Sequence, residues 1–308
     1  VMSETAPQPP IQATVIGVYL GAGKTTLVNH ILRSSGQRIA VLVNDFGDIN
    51  IDADLIESTD GDTINLANGC ICCSLVDGFA AALDQLLTSA VRPERLIIEA
   101  SGVGDPRQIG AYGQVPGLVL DAVITVADAE IVIAKSRDKY VGTTVVRQLE
   151  GSDLIVLNKT DLLTAQQLAV VDAWLAEHFA TVPVVHTSHG ELNLALLFGQ
   201  ATRTDATPTQ GAAASEVFAT WSTSGPAVVD RSSFETTLAG RPESILRLKG
   251  FVQFTDDERV YLVNCVGPRT NIQPMNASVA SPAGLVAIGL TDTDFASWLD
   301  EHLEDIQP

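Results

Sequence analysis

Positive charge is scarce in this chain. Lys and Arg number 18 against 37 Asp and Glu in 308 residues, a formal net charge of −19. A surface of that sign repels phosphate backbones and anionic lipid, and no local basic patch overrides it, so no nucleic acid and no membrane is expected as a partner. Cysteine is also sparse, with 4 residues, too few to staple a chain of this size, which speaks against a disulfide-built secreted scaffold. Long apolar runs are missing. Asp121 and Asp128 interrupt the richest stretch before it reaches the roughly 18–20 residues that cross a bilayer. Residues 1–10 hold neither a basic patch nor an apolar block, so no secretory leader is expected there and the expected address is cytoplasmic. Apolar core material is plentiful, at 46% of the chain, and the length suggests about two compact domains.

From residue 13 to about 198, short β-branched runs alternate with helical stretches, which predicts an α/β domain of βα units on a largely parallel sheet. Strands are expected at 13–18, 38–44, 95–99, 122–126, 154–157 and 182–186, and helices at 24–34, 75–90 and 165–179. Residues 199–214 are small, polar and poor in aromatics, the composition of a linker. Beyond them, strands at 217–221, 245–254, 260–266 and 285–289, a short helix around Phe234 and a closing helix at 295–303 form a smaller α+β domain. The expected organisation is a flexible tail at 1–12, the α/β domain at 13–198, the linker at 199–214 and the α+β domain at 215–308.

The first strand runs into Leu20-Gly21-Ala22-Gly23-Lys24-Thr25-Thr26 and then an apolar helix. That order of strand, glycine-rich loop and helix is a phosphate cradle. Small residues let backbone N–H groups reach phosphate oxygens, Lys24 neutralises the β and γ oxygens, and the Thr25 hydroxyl suits Mg²⁺. The usual pattern places a glycine where this chain has Val18, with Gly17 one position early. Valine disfavours positive φ, so a locally altered loop or weakened phosphate binding is expected. Farther on, an apolar strand ends in Asn158-Lys159-Thr160-Asp161. The Asp161 carboxylate can accept from guanine N1–H and its exocyclic amine, a donor pair adenine lacks, so GTP is favoured over ATP. Between the two, Leu96-Ile97-Ile98-Glu99-Ala100-Ser101-Gly102 is an apolar strand ending in an acid and a glycine turn. Glu99 is placed to orient an attacking water or the Mg²⁺ shell, and the Gly102 N–H to sense a γ-phosphate; a plain strand-end carboxylate is the alternative for Glu99.

Three of the cysteines, Cys70, Cys72 and Cys73, fall within four positions just ahead of the expected helix at 75–90. A helix N-terminus favours thiolates, and three thiolates supply three corners of a tetrahedral site for Zn²⁺ or another thiophilic ion. Buried structural cysteines and a vicinal disulfide remain as alternatives. Cys265 stands alone in a strand and reads as a small core residue.

Taken together, Gly21–Thr26, Val43-Asn44-Asp45-Phe46-Gly47, Gly69-Cys70-Ile71-Cys72-Cys73, Glu99-Ala100-Ser101-Gly102 and Asn158-Lys159-Thr160-Asp161 resemble the CobW-like family of P-loop GTPases. Arg247-Leu248-Lys249-Gly250-Phe251 looks like that family's C-terminal domain, so the likeness extends over nearly the whole chain. The resemblance implies a P-loop NTPase domain followed by the smaller domain. It also implies slow hydrolysis of GTP to GDP and phosphate with Mg²⁺, and a metallochaperone that carries Zn²⁺ or Co²⁺ on the Cys-x-Cys-Cys run to a client metalloprotein. A maturation scaffold that uses GTP to hold a metalloenzyme open without carrying the ion is the alternative, and a homodimer stays open. Asp45 and Asp48 stand where family members usually have Glu, still oxygen ligands for a metal but about one methylene shorter. The segment 199–214 contains no His, where many members carry a His-rich tract, so a storage role loses support.

Overall fold

The computed structural model describes residues 10–18, 21–43, 83–84, 86–89, 91–100, 116–198, 218–223, 227–275 and 284–303. The chain divides into two compact units, with the boundary between Leu192 and Asn193. The division assigns the short apolar helix Leu194–Phe198 to the second unit, whereas the sequence reading ended the first domain at residue 198. The expected tail and linker lie outside the described residues, apart from residues 10–12.

The first unit is built on six parallel strands: β1 (Ile11–Val18), β2 (Ile39–Val43), β3 (Arg95–Ala100), β4 (Leu118–Asp128), β5 (Leu154–Asn158) and β6 (Val184–His186). Their order across the sheet is β2-β3-β1-β4-β5-β6. Parallel strands are covered on both faces, and the sequence shows it: every residue of β5 is buried, and nearly all of β4. Between the strands run α1 (Lys24–Ser34), α2 (Val132–Ser136), α3 (Gly142–Glu150) and α4 (Ala165–His178). Local chemistry starts α4. Thr164 accepts from the Gln167 N–H while the Gln167 side chain reaches back to Thr164, a reciprocal capping box. At the N-terminal end of the sheet Arg95 pairs with Asp121 at 2.9 Å, both side chains buried.

The second unit opens with α5 (Leu194–Phe198) and continues through β7 (Phe218–Ser222), β8 (Ala227–Val229), α6 (Arg231–Ala239), β9 (Ile245–Phe254), β10 (Asp257–Val266), β11 (Arg269–Pro274), β12 (Val286–Leu290) and α7 (Phe295–Leu303). The sheet order is β11-β10-β9-β12-β7, antiparallel throughout, with β8 added parallel to β9. Phe234 and Leu238 of α6 and Phe295, Leu299 and Leu303 of α7 pack with Leu248, Val252, Phe254, Val263 and Cys265 in one core. Arg247 and Lys249, two apart and so on one face of β9, are both buried. Arg247 Nη1 donates to Leu196 O and Leu197 O at 3.1 and 2.8 Å, and Lys249 Nζ to Phe198 O at 3.3 Å. Two cations thus close the C-terminal end of α5, where the last carbonyls of a helix have no intrahelical donor.

Candidate nucleotide site

In a parallel sheet the loops after the strand C-termini gather at one edge, and most of the expected residues lie there. Val18 is the last residue of β1, paired with Val126 in the ladder. It therefore sits in extended backbone, and the substitution for glycine places no side chain in the left-handed region. Among the described residues of the loop, the left-handed positions are Gly21 at φ 89° and Gly23 at φ 97°. Gly23 is required for a second reason: a Cβ there would collide with the Asn158 amide. Ala22 is buried, and Lys24 opens α1 with its ammonium paired to the Glu99 carboxylate. Glu99, near the end of β3, has no exposed surface, so its charge depends on such a partner. Thr25 and Thr26 occupy the following positions of α1.

The second corner is built around Asn158, the final residue of β5. Its Nδ2 donates to Ala22 O at 2.8 Å and its Oδ1 accepts from the Gly190 N–H at 3.1 Å. One buried amide thus ties the phosphate loop to the loop after β6. Gly190, at φ 67°, lies so close to α1 that a Cβ would fall 2.8 Å from the Leu27 nitrogen. Two residues farther on, His30 Nε2 of α1 donates to Leu192 O at 3.0 Å. Thr160 is joined to the same loop, its N–H and hydroxyl both donating to Thr187 O. Asp161 lies in a single 3₁₀ turn, Thr160–Leu162, partly exposed, with His189 Nε2 at 3.8 Å from its carboxylate. His186 is engaged elsewhere, by Asp172 at 2.7 Å.

Lys24, Glu99, Asn158, Lys159 and Asp161 therefore share one end of the sheet. Gly102, Asp45, Asp48 and Cys70, Cys72 and Cys73 lie outside the described residues. Among the described residues no group of three or more His, Cys, Asp or Glu is gathered closely enough to hold a metal ion. Sequence reading missed Gly190, Leu192 as the partner of His30, and above all Asp128, which accepts from Lys159 Nζ at 2.7 Å. The signal for Asp128 was the one used for Glu99: an apolar strand that ends in an acid.

A phosphate loop after the first strand, a lysine leading the next helix, an acid ending a neighbouring strand and an Asn-Lys-x-Asp corner together define a P-loop nucleotide-binding protein. The CobW/HypB/UreG nucleotide-binding domain matches residues 12–186, and the cobalamin synthesis protein cobW C-terminal domain matches residues 218–307. The chain belongs to the CobW-like family of P-loop GTPases. It is 31% identical to the zinc chaperone CobW of a Sinorhizobium species over an alignment of 340 residues, covering 95% of this chain and 96% of that protein. With the zinc chaperone YjiA of Escherichia coli strain K12 the identity is 36% over 199 residues, 61% of each chain. Among solved structures, the Zn(II)-bound YjiA GTPase from E. coli aligns with a TM-score of 0.47 at 24% identity, covering 98% of this chain and 100% of that one.

Proposed function

We propose that this chain is a GTP-hydrolysing metallochaperone that takes up a transition metal, Zn²⁺ first among candidates, on Cys70, Cys72 and Cys73 and delivers it to a client metalloprotein. The observation that carries the nucleotide half is Asn158, whose amide links the phosphate loop to the base-side loop and leaves Asp161 at the partly exposed edge. The metal half is supported by the clustering of three thiols in four positions and by relatives named zinc chaperones.

The chemistry follows from the side chains. Phosphate oxygens entering the cradle compete with Glu99 for the Lys24 ammonium, and the carboxylate so released can orient water or the shell of a magnesium ion. Thr25 and Glu99 are hard oxygen donors that suit Mg²⁺, which when bound neutralises charge on the phosphates. Asp161 accepts from the guanine edge, with His189 beside it. Gly102, Asp45 and Asp48 belong to the same reading as γ-phosphate sensor and further oxygen ligands.

Coupling of metal to nucleotide is the functional core of the proposal. Zn²⁺ or Co²⁺ alters the rate of GTP turnover, and Cys72→Ser removes the response; turnover identical with and without metal contradicts it. Metal content of protein purified without chelator separates the carrier from a scaffold that activates a metalloenzyme without holding its ion. The carrier retains stoichiometric metal, and the scaffold none above background.

A further inference from the structure

Lys159 carries a backbone that a lysine seldom adopts, φ 63° and ψ 31°, in the left-handed region. Among the described residues His189 alone shares this among non-glycines, and both sit at the base-side corner. Such a conformation persists where the surroundings over-determine it, and such positions cluster at ligand sites. What holds Lys159 is the neighbouring strand. Its Nζ donates to Asp128 Oδ2 at 2.7 Å, with the lysine side chain about one-third exposed and Asp128 only 6%.

Asp128 is itself fixed. It closes β4 opposite Asn158 in the ladder, and its Oδ1 accepts from the Glu130 N–H at 2.9 Å. Its carbonyl accepts from the Ile131 N–H, and the next N–H, of Ala129, donates to Asn158 O at 2.9 Å. One carboxylate oxygen is thus occupied by a local turn while the other is presented to Lys159. The lysine stem is stretched from the end of β5 to the end of β4. A free lysine side chain samples many rotamers and loses that freedom on forming a contact, whereas a stem anchored at both ends has lost it beforehand. Its methylenes are apolar even though its head is charged.

Resting on the guanine-nucleotide reading above, we propose that Asp128 is a positioning residue for purine recognition. It holds the Lys159 stem as the face on which the purine ring lies, while Asp161 reads the edge of the ring. Asp128 acts through Lys159 and does not touch the ligand. Face and edge then contribute separately, and they can be told apart with two diphosphates. GDP carries the exocyclic amine that Asp161 accepts from; IDP lacks it and keeps the same ring face.

The test is calorimetric binding of GDP and IDP to the full chain. Asp128→Asn keeps an acceptor for Glu130 and removes the charge that anchors the ammonium, so both nucleotides weaken by the same factor, about tenfold. The ratio of GDP to IDP affinity stays at the parent value. Asp161→Asn collapses that ratio. Lys159→Met retains an apolar stem and deletes the anchored head, so it loses the same factor as Asp128→Asn, and adding Asp128→Asn to it costs nothing further. An unchanged affinity in Asp128→Asn, a shifted GDP-to-IDP ratio, or a further loss in the double variant each overturns the proposal. Should Asp128→Asn fail to fold, Lys159→Met decides alone: full affinity without the ammonium refutes the anchor. A parent that binds ADP as tightly as GDP refutes the guanine reading instead, and the Asp128–Lys159 cycle is then still measurable with ADP.

Discussion

Three partly or fully buried cations in each unit illustrate two ways of holding positive charge. In the first, the cations sit on carboxylates: Lys24 on Glu99, Lys159 on Asp128, Arg95 on Asp121. In the second, Arg247, Lys249 and Arg241 donate to main-chain carbonyls, at the end of α5 for the first two and at Leu238, Gly267 and Arg269 for the third. The difference bears on the proposed function. A carboxylate that neutralises a cation can be displaced by another anion, and one of the three pairs in the first unit, Lys24–Glu99, lies at the phosphate loop where a polyphosphate would enter. A carbonyl is part of the backbone and cannot leave without unfolding the helix end it belongs to. The Lys24–Glu99 pair can exchange partners, while the donors to α5 fix the fold.

That contrast breaks most sharply at Lys24. On the proposed function, Lys24→Ala lowers GTP turnover by about 10³ or more, because the cradle loses its charge against the β and γ oxygens. Glu99→Gln lowers turnover by roughly 10² while GDP binds no more weakly than to the parent, since the ammonium no longer has a competing carboxylate. Steady-state kinetics beside calorimetry checks both; a Glu99→Gln variant that loses GDP affinity would show that the pair is structural. Arg247→Ala is next. It removes donors to Leu196 and Leu197 and costs about 3 kcal/mol in the second unit, read by hydrogen exchange as lost protection over residues 245–266 with protection at Leu154–Asn158 retained. Equal loss in both units would erase the contrast between them.

Smaller effects sharpen it. Asp161→Asn weakens GTP by about tenfold to a hundredfold with little change for ATP, measured by competition binding; parallel loss of both would remove the guanine assignment. Asp257 gives a surface counterpart to the buried pairs. Its carboxyl is held well below the usual carboxylate range, chiefly by the Arg259 side chain, then by the Arg259 N–H and the Tyr261 hydroxyl. A depressed native pKa means its contribution is fully present above the ordinary value near about 4 and is lost as pH falls through the native value. Acid titration of the parent therefore shows a stability loss below about pH 4 that is smaller in Asp257→Asn. Identical acid transitions would mean that the Arg259 and Tyr261 contacts do not bias the carboxyl.

Much of this architecture was legible in the amino-acid pattern, and the exceptions share a cause. Helix Lys24–Ser34, strand Ile245–Phe254 and helix Phe295–Leu303 have the expected bounds because the apolar pattern within each segment matches the element it forms. Helices α2 and α3, and strands β8 and β11, were not anticipated. β11 reads RTNIQP, mostly polar with Ile272 against the core, and is paired with β10 along its length. Helix α5 reads LALLF and looks like the last turn of the first domain, yet its carbonyls answer to Arg247 and Lys249, some fifty residues away. At the nucleotide corner, Lys24 and Asp161 were visible because their motifs are local. Asp128 carried the signal of an acid ending an apolar strand, but its role was not visible, because that depends on the register that sets it opposite Asn158. The distance of Gly190 from Leu27 is likewise a tertiary fact.

The proposed metal carrier requires that occupancy of the phosphate cradle be felt by the thiols. Zn²⁺ titrated calorimetrically into the protein loaded with GDP, and then into the protein loaded with a non-hydrolysable GTP analogue, measures that directly. The account predicts affinities that differ by roughly 5- to 150-fold between the two forms, abolished by Cys72→Ser. Equal Zn²⁺ affinity in both forms would contradict it.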